Sequence, residues 1–260
     1  TGRPGGRGAP SCNGHHQPMD FWRRTRLGAA ALLDLVLPAE CAGCGGAGVG
    51  WCASCASDLA AACFPLPRHT PPSPCPPGMP PVIAAARYTG ALRAAIVAVK
   101  DGGRADARPL LTPLLAQAIL VAAAHHQDLA LVPMPSSRAA VRRRGEASVT
   151  VLCRQANALL GHPHQVLEAL SPARRVADQA GLGSAERRAN LVGAYAVPPR
   201  WRDELAGRDV LLVDDVVTTG ATLTEGARAL RAAGAHVVAS AVVAATQRRG
   251  RADVPSGLTR

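Results

Sequence analysis

Residues 210–222 read Val-Leu-Leu-Val-Asp-Asp-Val-Val-Thr-Thr-Gly-Ala-Thr, an apolar run that ends in two adjacent carboxylates and a Thr/Gly turn. The turn, Thr218, Thr219, Gly220, Ala221 and Thr222, precedes a helical pattern of Leu223, Ala227 and Leu230 that Gly234 can end. A helix start offers unpaired N–H groups and a positive dipole end, Gly220 permits close backbone approach, and threonine hydroxyls add donors. Such a turn suits a phosphate monoester, and Asp214 with Asp215 beside it suits a ligand that also carries hydroxyls, such as a ribose phosphate. Neither Gly-x-x-x-x-Gly-Lys nor Gly-x-Gly-x-x-Gly occurs here, so the turn is neither a P-loop nor a dinucleotide fingerprint. An acidic strand end that merely caps a helix is the alternative.

Cys41, Cys44, Cys52 and Cys55 are spaced Cys-x2-Cys-x7-Cys-x2-Cys. Each pair can form a knuckle that presents two thiolates to one ion, and four thiolates close a tetrahedral zinc shell with no position left for substrate. The zinc expected here is therefore structural. Disulfides and an iron–sulfur cluster are the other uses open to the same residues. Cys63 and Cys75 flank the group; either could replace one of the four ligands, and free thiols are the reading expected for both, while Cys153 falls inside a helical run as a small core residue.

The elements that must position these groups follow from periodicity. Val210 to Val213 have the uninterrupted β-branched and aliphatic character of a strand buried on both faces, which places Asp214 and Asp215 at its carboxyl end, where open α/β sheets hold ligands. Further strands are expected at Val82 to Tyr88, Leu129 to Val132, Val166 to Leu167, Ala194 to Val197 and His236 to Ala245. Helices are expected from Ala91 to Val99 ending at Lys100, from Pro109 to Ala124 and over 146–160. Strands alternating with helices at this spacing predict an α/β fold, a doubly wound parallel sheet.

The chain's 260 residues have room for one such domain and a small appendage. Residues 1–18, rich in Gly, Pro, Arg and His, read as disordered or as an extension upstream of a true start at Met19. Residues 19–64 are expected to hold a short amphipathic helix, with Leu32, Leu33, Val36 and Leu37 on one side, and the cysteine module. Asp34 interrupts the resemblance of this segment to a secretory signal. Nine prolines within 65–81 predict a stiff linker to the main domain, 82–250, and 251–260 is a tail. No apolar run reaches the ~20 residues that span a bilayer, and the expected location is cytoplasmic. Lysine and arginine total 29 against 18 acids, a formal charge of +11 that makes polyanions plausible ligands.

Two more segments face the expected site. After the 129–132 strand come Pro133, Met134, Pro135, Ser136, Ser137 and Arg138, then Arg142, Arg143 and Arg144 before Gly145. Guanidinium groups there can chelate phosphate oxygens. Residues 178–190, with Gln179, Arg188 and Asn190, are punctuated by glycine and read as a mobile lid or a plain surface loop.

The 210–222 stretch closely resembles the phosphoribosyl-pyrophosphate loop of the type I phosphoribosyltransferases. The wider order of motifs is similar to the ComF family: the four cysteines, Tyr88 to Gly90, Lys100, Val132-Pro133 with Pro135, Arg144-Gly145, Gln179 with Arg188 and Asn190, and the acidic loop. The resemblance covers about residues 27–246. It implies a type I phosphoribosyltransferase-like parallel sheet with helices on both faces, phosphoribosyl pyrophosphate with magnesium as substrate, and transfer to a nitrogen nucleophile. In that picture Asp214 and Asp215 hold the ribose hydroxyls, 218–222 binds the monoester phosphate, and Lys100, Arg138 and Arg143 serve the pyrophosphate.

The family association with competence, together with the cysteine module and the +11 charge, implies another role: a non-enzymatic DNA-uptake or nucleic-acid-handling factor with single-stranded DNA or competence machinery as partner. A regulator that senses the ribose phosphate without chemistry is a third reading, compatible with the residue at 146. The chain shows no aromatic stacking platform for single strands. One departure stands out: the family usually has Phe-Asn-Gln after Arg-Gly, and this chain has Glu146, Ala147 and Ser148. A carboxylate at 146 would repel pyrophosphate unless it faces away.

Overall fold

In the computed structural model, which describes residues 40–126, 128–173 and 192–246, the central strands send successive side chains to two different cores. Leu131, Leu211, Val213, Ala241 and Val243 belong to one, and Ala130, Val132, Val210, Leu212 and Val242 to the other. This is the period-two alternation of a strand covered on both faces.

The strands are β1 (Cys63–His69), β2 (Val82–Arg87), β3 (Leu129–Pro133), β4 (Gln165–Val166), β7 (Asp209–Val217) and β8 (His236–Ala245), in the order β1-β2-β8-β7-β3-β4. All neighbours are parallel except β1 and β2. On one face lie α2 (Gly90–Lys100), α3 (Arg108–Ala122) and α5 (Ser148–Leu159), packed through Leu92, Ile96, Leu111, Leu115, Ile119 and Leu152. On the other lie α6 (Arg202–Leu205) and α7 (Ala221–Ala232), through Leu205, Leu223, Ala227 and Leu230. A short α1 (Ala53–Ala62) precedes β1, and α4 (Arg138–Arg144) follows β3. No helix among the described residues is long and apolar enough to cross a membrane.

Three expectations change. The proline-rich stretch is not simply a spacer, because its first residues form the edge strand β1. Proline lacks an N–H, and Pro65 and Pro67 fall in the irregular register between the Cys63–Ala86 and Arg68–Ala84 pairs, where no ladder bond is asked of them. Phe64 anchors this edge, buried beneath the guanidiniums of Arg68 and Arg87 at 4.0 and 5.3 Å. Second, the strand expected over 194–197 shortens to β6 (Tyr195–Ala196) and pairs antiparallel with β5 (Ser171–Pro172), outside the main sheet. Third, β7 continues through the acids to Val217, because β8 still pairs with it there. Residues 1–39, the 178–190 segment and the tail lie outside the described residues.

The cysteine-bearing segment is fastened to this body. Trp51, Leu59 and Ala42 pack on the core, and Arg104 donates to the Glu40 carbonyl at 3.0 Å. Helix α2 has no side-chain cap of its own at Thr89, and Asp58 of α1 supplies one by accepting the Ala91 N–H at 2.5 Å. Gly90, at φ +50°, leaves room for that carboxylate, since a Cβ there would collide with it. Asp58→Ala should lower stability by about 0.5–2 kcal/mol, the usual value of a lost helix cap. Urea unfolding followed by circular dichroism measures this, and an unchanged midpoint would show that the cap carries no weight.

Candidate functional site

Strand β3 ends at Pro133, level with Val213 of β7, and the Met134 N–H makes the next bond to the Val213 carbonyl at 2.8 Å. Asp214 and Asp215 therefore reach past β3 at the carboxyl edge of the sheet, while β8 supports them on the other side through the Asp214–Val242 pair. Both are buried, at 7% and 5% exposure. The Asp214 Oδ1 accepts the Asp215 N–H at 2.9 Å, and Asp215 Oδ1 accepts from Lys100 Nζ at 2.8 Å. Lys100 is the last residue of α2 and keeps about half its side-chain surface (49%) in solvent. Burial works against its charge, but Asp215 and Asp214 outweigh this and hold its pKa above the usual lysine range.

The turn is built as the residue types suggest. Gly220 adopts φ +74° and caps α7, and both the N–H and the hydroxyl of Thr224 return to the Gly220 carbonyl at 2.9 Å. The N–H groups of Thr222 and Leu223 precede that first intrahelical bond and have no acceptor within the helix. Thr219 Oγ1 accepts the Ala221 N–H at 3.5 Å, Thr218 is exposed, and Thr246 of the chain after β8 pins the Val217 and Thr218 carbonyls. A Cβ on Gly220 would run into Met79, and into Pro72 at 3.0 Å, so the proline-rich segment lies directly against the turn.

Arg143 on α4 has Nη2 4.0 Å from Asp101, the neighbour of Lys100, with both side chains exposed. Arg138 begins α4 behind a Ser137 cap whose Oγ accepts the Ala140 N–H at 3.2 Å. Glu146 forms an ion pair with Arg108 at the start of α3, so its carboxylate is matched by a guanidinium and does not stand as a bare negative charge. Two other residues beside the site carried no individual expectation. Tyr195 packs against Ala221, and Glu225 is buried within α7, paired with Arg228 at 2.7 Å. A glutamate one turn from Ala221 and one from Ala229, on the buried side of the helix, is the signal that marks the second; nothing local marks the first.

The four cysteines converge on one another. Their Sγ atoms all lie within 4.8 Å of one another, and Cys44 and Cys52 are 3.8 Å apart, the S···S separation of about 3.8 Å that a tetrahedral shell with Zn–S of about 2.3 Å requires. Gly45 at φ +75° turns the first knuckle, whose Gly45 N–H bonds the Cys41 carbonyl at 2.8 Å. Gly43 must lack a side chain because its Cβ would sit 2.5 Å from Cys55 Sγ. N–H groups of Cys52 and Cys44 draw the Cys41 thiol down to about 6, whereas burial and the neighbouring sulfurs push Cys55 well above its ordinary value. A divalent cation removes that opposition, since all four bind as thiolates. The cluster can hold zinc. Cys63, Cys75 and Cys153 are free thiols apart from it, Cys153 buried in α5.

Residues 168–257 match the family model described as phosphoribosyl transferase domain. Over 105 residues the chain is 31% identical to Competence protein F of Haemophilus influenzae, an alignment covering 40% of this chain and 45% of that protein. These findings support a ComF-like protein of the phosphoribosyltransferase type. The match spans less than half of that relative. Within the phosphoribosyl transferase segment fall Asp214, Asp215 and the 218–222 turn. The α/β sheet around them fits the same domain.

Two outcomes are expected. Purified protein should contain about one zinc per chain, and Cys44→Ser or chelation should lower the melting temperature of the whole body, since Trp51 and Leu59 tie the cluster to the core; a disulfide count in place of free thiols would refute it. The second concerns Asp214. Burial, followed by the charge of Asp215, pushes its carboxyl up to about 7 against the pull of Lys100. A carboxyl with a raised folded pKa adds stability below its unfolded value, and that stability is lost as pH rises through the folded value. Asp214→Asn should therefore gain in melting temperature relative to the parent between about pH 4 and pH 7. A difference constant across that range, read by scanning calorimetry, would contradict the assignment.

Proposed function

We propose that this protein binds phosphoribosyl pyrophosphate with magnesium at the 214–222 loop and transfers the phosphoribosyl group to a nitrogen nucleophile. The observation that carries this reading is the succession of two adjacent buried carboxylates, an αL glycine and a helix N-terminus at the carboxyl edge of the sheet, inside the segment that matches the phosphoribosyl transferase domain. Asp214 and Asp215 accept hydrogen bonds from the ribose hydroxyls, and their charge favours the positive ring that develops as the bond to pyrophosphate breaks. The turn of Thr218, Thr219, Gly220, Ala221 and Thr222 anchors the monoester phosphate through N–H and hydroxyl donors, which supplies mainly orientation.

Lys100, Arg138 and Arg143 serve the departing pyrophosphate, with Lys100 placed between the acids and the rim where Arg143 meets Asp101. The pairing of Glu146 with Arg108 answers the charge that would otherwise oppose an anion there. The carboxylate oxygens of Asp214 and Asp215 are donors of the hard kind magnesium takes, and the ion supplies charge neutralisation of the pyrophosphate. A cytoplasmic setting belongs to the same proposal, and the gathering of four thiols on one centre supports a reducing compartment.

Asp215→Asn keeps the side chain's shape and removes its charge, so affinity for magnesium phosphoribosyl pyrophosphate should fall about ten- to a hundredfold, the equivalent of roughly 1.5–3 kcal/mol for a charged hydrogen bond. Thr219→Val should weaken binding in the same direction. Isothermal titration reads both, with circular dichroism to confirm folding, and two variants that bind like the parent would remove the phosphate-cradle reading.

A further inference from the structure

Strand β6 contains two residues, yet its backbone is held from several sides. The Arg228 Nη2 donates to the Tyr195 carbonyl at 3.3 Å, Ser171 Oγ donates to the Ala196 carbonyl at 3.3 Å, and the Ala173 N–H bonds the Ala194 carbonyl at 2.8 Å. The same Arg228 grips Glu225 with Nε at 2.8 Å and Nη2 at 2.7 Å. Glu225 is buried at 6% exposure on α7, where an unpaired carboxylate would be costly, so the helix that begins in the phosphate turn spends a buried charge on fixing this one short strand. What the clamp positions is the side chain of Tyr195. Its ring packs on Ala221, the first residue of α7, and on Ala194.

The hydroxyl at the end of that ring has no hydrogen-bond partner among the described residues, although packing alone would be satisfied by phenylalanine. Burial pushes it up to about 12; the charge of Asp214 acts in the same direction and Lys100 against it. The phenol thus stays a neutral donor across the physiological range, with the charges of Asp214 and Lys100 both bearing on it.

We propose that Tyr195 is a ligand-contacting residue of the ribose-phosphate site, its ring forming a wall of the phosphate turn at Ala221 and its hydroxyl donating a hydrogen bond to a ribose oxygen beside Asp214. The Glu225–Arg228 pair acts as the positioning device for that contact. This inference rests on the ribose-phosphate reading of the 214–222 loop and adds to it a group from outside the loop. It also divides the ligand chemically: the turn reads the phosphate, whereas the Tyr195 hydroxyl reads the sugar.

The division gives the test. Isothermal titration of the full zinc-loaded chain with inorganic phosphate and, separately, with ribose 5-phosphate compares the parent with Tyr195→Phe and Asp215→Asn. Loss of one neutral hydrogen bond should weaken ribose 5-phosphate binding by Tyr195→Phe about five- to tenfold, while inorganic phosphate affinity and melting temperature stay unchanged. Equal affinity of Tyr195→Phe and parent for ribose 5-phosphate overturns the contact. An equal loss for both probes overturns it too, because the residue would then act by packing on the turn. Should the parent bind no ribose 5-phosphate, or Asp215→Asn bind it as well as the parent, the ribose-phosphate reading fails and this inference with it. A failure of Tyr195→Phe alone leaves that reading standing.

Discussion

Two carboxylates on consecutive residues, both withdrawn from water, are the constraint around which the rest of this structure is arranged. Burial first, and the like charge of Asp215 second, disfavour ionisation of Asp214 and raise its carboxyl to about 7. A chain left to relax would turn one of them into solvent. Here the β7 strand prevents that, because β8 pairs with it on past the acids to Val217 and fixes the direction of each side chain. Lys100 supplies the compensating charge from the last turn of α2, where a cation is also favoured by the helix dipole. The pair is thus held in place by the sheet on one side and balanced by the Lys100 cation on the other.

The same economy governs the turn after the strand. Gly220 adopts a left-handed conformation, and its missing side chain also admits Met79 and Pro72, so one residue type satisfies a backbone need and a packing need together. Arg231 of α7 donates to the Gly78 carbonyl at 2.6 Å, which holds the proline-rich segment along the helix that starts in the turn. A stiff segment is suited to this: few backbone conformations are lost when it lies down, so modest contacts suffice to keep it in place.

How much of this the sequence could tell follows from how local each feature is. The acid pair, the Thr/Gly turn and the cysteine spacing are each contiguous or nearly so, and their residue types carry their geometry with them. The alternation of strands and helices likewise led to the parallel sheet. Strand β1 was hidden because its prolines argue against a ladder, and only the bulge at an edge reconciles them with one. The 194–197 strand was legible as a strand, but its partner, Ser171–Pro172, had no apolar pattern to announce it. Contacts such as Lys100 with Asp215, Asp58 with Ala91 and Arg108 with Glu146 join residues separated by 115, 33 and 38 positions, so no periodicity could reveal them.

Those long-range contacts bear on what the cysteine centre is for. Cys52 caps α1 and Cys55 lies within it, while Asp58, on the next turn of the same helix, caps the start of α2. Helix α2 then runs 11 residues, about 16 Å of rigid rise, to place Lys100 on Asp215. A metal that orders the four sulfurs therefore orders α1, α1 orders the beginning of α2, and the far end of α2 carries the cation that neutralises the acid pair. The centre offers no open coordination position when its four thiolates are engaged, so it has no direct chemistry to contribute. Its mechanical connection is short, however, and passes through hydrogen bonds and one helix rather than through a flexible spacer. On this account the cysteine module is part of the scaffold of the site, and the electrostatic balance at Asp214 and Asp215 depends on its being folded.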